Sequence, residues 1–271
     1  MPRELPQVQR AVELAAGTAA AMSEVASMPL AGRAQLEIAA DRRLGTQDWP
    51  DPAFFSYNVI EVYLRAAGDF VHGLHLVSDP QWDLGFSSGT LARSACEYAN
   101  RCWWLADPEI AVEKRVARAL AVWQNTVSEE RQLMDGGNLG VISDLGERIN
   151  EWKRGHAFGI IDPLPGPTRL FELMYGQEGV RQYKRLCNSS HGSLLTVLRD
   201  YHAITCRPQD AAVDVWWRVL IATRHALNAA TRVSDLRGGA APESLRDVFA
   251  LRQYYSHWFD AWVRLSAGFS T

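Results

Sequence analysis

Apolar residues recur along this chain at intervals of three and four, and nowhere do they alternate with polar ones over any length. That period is helical, so the pattern excludes a sheet and leaves helices packed on helices. Leu5, Val8, Val12, Ala15, Ala19 and Met22 form a narrow, Ala-rich seam suited to close approach of another helix. A shorter helix is expected over 31–44, then the breaker Gly45–Pro52. A long helix follows over 52–77, with Pro52 placed to start it. The segment 87–106 is the most apolar long helix, stopped by Asp107-Pro108, and reads as the central one. Further helices are expected at 109–134, 140–155, 168–175, 177–202 (broken near 188–192), 209–236 and 243–267. Arg237-Gly238-Gly239 separates the last two and Pro242 opens the final one. The Pro-rich stretch 159–167 has ordinary loop length and does not divide the chain.

The expected fold is therefore all-α, a single-domain bundle of seven to nine helices over 1–271. Helices in 1–45 pack on or extend a main bundle over 52–267. With 271 residues and 47% hydrophobic content, the chain can bury a substantial core. A net charge of −3 argues against a dedicated nucleic-acid or anionic-membrane surface. No run of 18 uncharged apolar residues occurs, and Glu4 and Glu13 interrupt the first apolar stretch, so neither a membrane span nor a signal peptide is expected. The four cysteines, Cys96, Cys102, Cys187 and Cys206, form no CxxC pair and fit reduced thiols in a cytoplasmic protein.

Polar residues that interrupt apolar helices are the candidates for chemistry. On 87–106 they are Arg93, Glu97, Asn100 and Arg101. Arg93 and Glu97 stand four apart on one face and can pair. Either the pair faces solvent, or it sits inside the bundle, where its desolvation cost suits a functional site. A second group lies in Tyr183–Leu195, where His191 follows Ser189 and Ser190 and precedes Gly192. The bland reading of His191 is a hydrogen-bonded structural residue; the sharper one is a proton-transfer group beside space left by small neighbours.

Taken together, Leu91–Pro108 and the later Tyr183…Ser190-His191-Gly192 resemble a family of uncharacterised bacterial all-helical proteins. In that family an Arg-x3-Glu helix precedes a Tyr…Ser…His segment. The resemblance covers about residues 85–200, implies no established activity, and suggests that Arg93, Glu97, Tyr183 and His191 belong to one constellation.

Other motifs are weaker. Asn58, Glu61, Arg65, Asp69 and His72 form a polar stripe on 52–77, most simply a solvated face laced by ion pairs. Asp69-x-x-His72 has metal-compatible spacing, yet the chain contains no Glu-x-x-His of the di-iron bundles. Arg-x(4–6)-His, the mark of bundle-type ribonucleases and toxins, occurs as Arg65/His72, Arg185/His191, Arg218/His225 and Arg252/His257. Residue frequencies alone give about two such matches. Two Asp-x3-Asp pairs, Asp79/Asp83 and Asp210/Asp214, lack the second metal motif of terpene synthases. No cofactor is required, and a divalent metal has only these motifs behind it.

Ten tryptophans complete the reading. Most are core packing; the sharper expectation is that some line an apolar cavity closed by the polar set. The 25 arginines, against 3 lysines, read as background. The function expected is an enzyme acting on a small hydrophobic molecule, of cyclase or isomerase type. Glu97, His191 and Arg93 are its catalytic set, and Tyr183, Ser190, Asn100, Trp104 and Trp123 its substrate contacts. The alternatives are a bundle-type ribonuclease or toxin, and a non-catalytic ligand-binding helical protein that forms a homodimer through the N-terminal seam.

Overall fold

The computed structural model describes residues 6–47, 49–78, 85–133, 146–147, 150–152, 154, 163–190, 198 and 208–268. Among them run nine helices: α1 (Pro6–Ser27), α2 (Gly32–Ala39), α3 (Asp41–Leu44), α4 (Pro52–Val77), α5 (Gly85–Leu105), α6 (Val112–Leu133), α7 (Pro167–Ser190), α8 (Pro208–Arg237) and α9 (Glu243–Gly268). No strand occurs among the described residues. The chain is all-α, as the apolar period requires. The described parts of 140–155 are also helical.

The boundaries follow local chemistry. The helix expected over 31–44 divides at Ala40 into α2 and α3. Asp41 then turns its carboxylate onto the start of α4, accepting from the Ala53 N–H at 2.6 Å and the Phe54 N–H at 3.1 Å. An acidic group at those unsatisfied donors complements the helix dipole. The helices expected at 168–175 and 177–202 are the two halves of α7, joined at a kink where Gly176 adopts φ 60 and ψ −143. Only glycine enters that region without steric cost.

α5 is the central helix. It packs on α4, α7 and α8, while α1 lies against α4, α8 and α9. Cys96 and Cys102 are fully buried on α5 and serve as small apolar groups. Of the N-terminal seam, Ala15 and Met22 are fully buried and Val12 and Ala19 half-buried, beside the fully buried Ala11, Leu14 and Ala21. α1 is thus part of the core. A second apolar cluster, separate from the main core, joins Ala53, Val116, Leu120 and Trp152 beneath Trp49, Phe55 and Trp123. Trp152 fixes it by donating its indole N–H to the Leu44 carbonyl at 2.9 Å.

Charged side chains reinforce the packing. Arg115, wholly buried, donates to Glu37 at 3.0 Å and to the Leu105 and Asp107 carbonyls at 2.9 Å, so it closes the C-terminal end of α5. Glu37 also accepts from Arg33 and from the Tyr57 hydroxyl. Burial pushes the Glu37 carboxyl up, but the hydrogen bonds from Arg115 and Arg33 outweigh it and hold the group below its ordinary range. The arginine excess, read above as background, has a structural use. Arg232 stacks on Trp103 at 3.6 Å, Arg185 on Trp217 at 4.0 Å, and Arg118 on Trp104 at 4.6 Å. Planar guanidinium groups cover these indole faces.

Candidate functional site

Arg93 and Glu97 lie one turn apart on α5, and their side chains meet at 2.7 Å between Nε and Oε1. Neither is sealed in the core: the side chains are 22% and 17% exposed. The second half of α7 crosses beside them. Its last turn presents Ser190, whose Oγ accepts from Arg93 Nη1 at 2.9 Å. Two turns earlier Tyr183 places its hydroxyl 3.5 Å from Arg93 Nη2, and the guanidinium carbon lies 5.7 Å from its ring centre. Arg93, Glu97, Tyr183 and Ser190 therefore converge, although some 90 positions separate the two segments. His191 lies outside the described residues.

The two carboxylate oxygens of Glu97 differ. Oε1 is held by Arg93, whereas Oε2 takes no hydrogen bond among the described residues. Burial works against the Arg93 charge, but the hydrogen bond and the negative charge of Glu97 more than offset it and raise its pKa. Burial pushes the Tyr183 phenol up to about 12, helped by its hydrogen bond with the Cys187 thiol and by the charge of Glu97. Tyr183 is thus a neutral hydroxyl throughout the ordinary pH range, able to donate. Phe171 backs it, with ring centres 4.9 Å apart.

A third helix adds a parallel contact. Arg218 of α8, almost wholly buried, donates to Ser88 Oγ at 2.9 Å and approaches Ser189 Oγ at 3.4 Å. Adjacent serines on α7 thus meet arginines from two different helices. Gly89 allows the approach, because a Cβ there would stand 2.8 Å from that of Ser189. The sequence singled out Arg218 only for its spacing to His225, and Ser88 not at all. The available signal was an arginine set in the apolar run Trp216-Trp217-Arg218-Val219-Leu220-Ile221.

The remaining expected substrate contacts lie elsewhere. Asn100 is fully buried, and its side-chain oxygen Oδ1 lies 2.5 Å from His225 Nδ1. Gln182, anchored by donating to Glu178, presents its oxygen 3.4 Å from His225 Nε2. Burial, then the charges of Arg224 and Arg252, bring the His225 pKa down to about 3. A neutral ring has one donor and one acceptor. The short contact to an oxygen makes Nδ1–H the donor to Asn100 and leaves the unprotonated Nε2 beside the Gln182 oxygen. Trp104 is three turns beyond Arg93 on α5 and is covered by Arg118. Trp123 belongs to the second apolar cluster, 6.0 Å from Phe55.

The polar stripe on α4 is open along one side, where a groove of about 480 Å³ against α1 is lined by Arg65, Asp69, His72 and His75. Arg65 pairs with Glu61 at 2.9 Å, as the spacing requires, but Glu61 also receives Arg237 at 2.9 Å and so ties α4 to the end of α8. His75 Nδ1 contacts the Val12 carbonyl at 3.1 Å, which makes that nitrogen the donor. Among the described residues, no three His, Cys, Asp or Glu side chains come together in a metal-holding group. No described helix is long and apolar enough to cross a membrane. Compared with known proteins, the chain matches no family model, no curated protein and no solved structure.

Proposed function

We propose that this chain is an enzyme that moves a proton on a small hydrophobic molecule, as an isomerase or a cyclase does, with Glu97 as the acid–base group. The observation that carries this reading is the asymmetry of the Glu97 carboxylate. One oxygen is fixed by Arg93 and the other takes no hydrogen bond among the described residues, on a side chain that water can still reach. An oriented carboxylate with an open oxygen is what general-base catalysis needs. Arg93 acts as the positioning residue, itself located by Ser190 and Tyr183. Tyr183, neutral and backed by Phe171, supplies a hydroxyl and an aromatic wall for an apolar substrate. His191, next to Ser190 in the sequence, is the second proton-transfer group in this reading.

The test is mass-neutral turnover. Purified protein is incubated with a lipophilic metabolite extract, and species that change chromatographic retention without changing mass are followed. The parent is expected to convert at least one, and Glu97→Gln to do so about 100-fold or more slowly, the ordinary worth of a general base. Equal turnover by parent and Glu97→Gln removes Glu97 from the chemistry and overturns the proposal.

A further inference from the structure

α4 packs on α5, α1, α6 and α8, and its exposed residues recur at intervals of three and four from Phe54 to Leu76. They form one stripe that covers less than about a quarter of the helix circumference. Three of them are large and apolar, with Phe54 39%, Val62 64% and Leu76 52% exposed. Two clefts run along one side of this stripe. One, of about 480 Å³, is floored by Ala16, Ala19 and Ala20 of α1; the other, of about 470 Å³, lies against Met28, Pro29 and Leu30. Arg65 lines both, so together they follow α4 along most of its length. A helix laid in them would touch α1 as well as α4, with small side chains beneath it.

Charge on this face is unevenly satisfied. Glu61 takes Arg65 at 2.9 Å on one oxygen and Arg237 at 2.9 Å on the other, two guanidinium groups on one carboxylate. Arg65 gives Glu61 only its Nε, and its two Nη groups meet no acceptor among the described residues. Asp69, one turn further on, takes no partner among the described residues. Within one helix an acid pairs better when it precedes its base by four, as Glu61 does, than when it follows, as Asp69 does. Across a two-fold axis that restriction falls away. Two copies of α4 laid antiparallel, with the axis level with position 67, bring each Arg65 opposite Asp69 of the second copy. Val62 then stands level with His72 of the second copy, and Leu76 with Asn58. Parallel packing would set Arg65 on Arg65 and Asp69 on Asp69, and like charges oppose it.

We infer that the stripe from Asn58 to Leu76 is the interface of an antiparallel homodimer, with reciprocal Arg65–Asp69 pairs across its axis. An overlap about 27 Å long and one helix wide is small for an interface and fits a dimer that dissociates in the range of tens of micromolar. The face excludes Glu97 and is read by association, so its success or failure is separate from that of the acid–base proposal. Sedimentation of the full chain is followed from about 1 μM to about 300 μM, a range that brackets such a constant. The mass is expected to rise from monomer to dimer. Arg65→Asp and Asp69→Arg, both at exposed positions, each set like charges across the axis twice. Each is expected to weaken self-association about tenfold or more. Mixed together, the two variants restore both opposite-charge pairs, and the mixture is expected to associate as tightly as the parent. A loss caused by misfolding would not be recovered on mixing. A parent that stays monomeric throughout, variants that dimerise as the parent does, or a mixture no tighter than its components overturns the inference.

Discussion

At the scale of single residues, the interior of this protein is unusually polar, and each buried polar group bears on how the molecule responds to its surroundings. His225 is the clearest case. Folded, its ring resists protonation down to about pH 3 because it is buried and faces two arginines. Unfolded, it takes a proton near its ordinary value of about 6.5. Between those limits the unfolded chain binds more protons than the folded one, so stability falls as pH drops below about 6.5, by up to about 1.4 kcal/mol per pH unit from this residue. Urea unfolding at pH 7 and pH 5 should show a smaller acid loss in His225→Gln than in the parent; equal losses would acquit the histidine. Glu37 adds to the same trend at lower pH, since its depressed pKa contributes stability above the carboxylate range that is lost as acid protonates it.

Legibility in the sequence was also decided residue by residue. Arg93 and Glu97 stood out because two opposite charges one turn apart break an otherwise small and apolar helix. Tyr183 and Ser190 were found through their neighbours. Arg115 was missed, and Arg218 was noticed only for its spacing to His225, because a lone arginine on an amphipathic helix looks the same whether it faces water or stacks inward. What separates the cases is the partner, and the partners lie on other helices: Glu37 is 78 positions from Arg115, and Ser88 is 130 from Arg218. Trp104 and Trp123 pose the complementary problem, since an indole that packs and one that lines a pocket share every local feature.

At the scale of elements, period and punctuation were sufficient. Pro52, Asp107-Pro108 and Gly238 mark real boundaries, and the expected break between 175 and 177 is the Gly176 kink. That kink turns α7 so that its first half carries Phe171 and Tyr175 to His225, while its second half carries Tyr183 and Ser190 to Arg93. Gly176→Ala places a side chain in a backbone region that L residues avoid, although open space surrounds the position. The expected cost is about 1–3 kcal/mol from the backbone alone, visible as a lowered denaturant midpoint. An unchanged midpoint would mean that the kink relaxes without penalty.

At the scale of the whole molecule, α5 packs on α4, α7 and α8, and the first helix of the chain covers two of these, α4 and α8. α1 lies against α4, α8 and α9, and its inner residues are fully buried. Arg237 reaches back from the end of α8 to the Met28 carbonyl, and Ser244 on α9 to Glu24, closing the fold across more than 200 positions. Removal of residues 1–27 is therefore expected to abolish cooperative thermal unfolding rather than to change only an association state. A sharp, parent-like transition in the shortened chain would show that α1 is dispensable.

The link from Arg93 to Ser190 spans 97 residues, and it sets an order in time as well as in space. During synthesis at about 5–20 residues per second, α5 emerges roughly 5 to 20 s before its partner serine exists. Through that interval Arg93 and Glu97 have each other within their own helix, one turn apart, and nothing else from the site. The constellation is thus complete only after α7 has been made and has docked, and a nascent chain shorter than that can hold the charge pair but not the centre it belongs to.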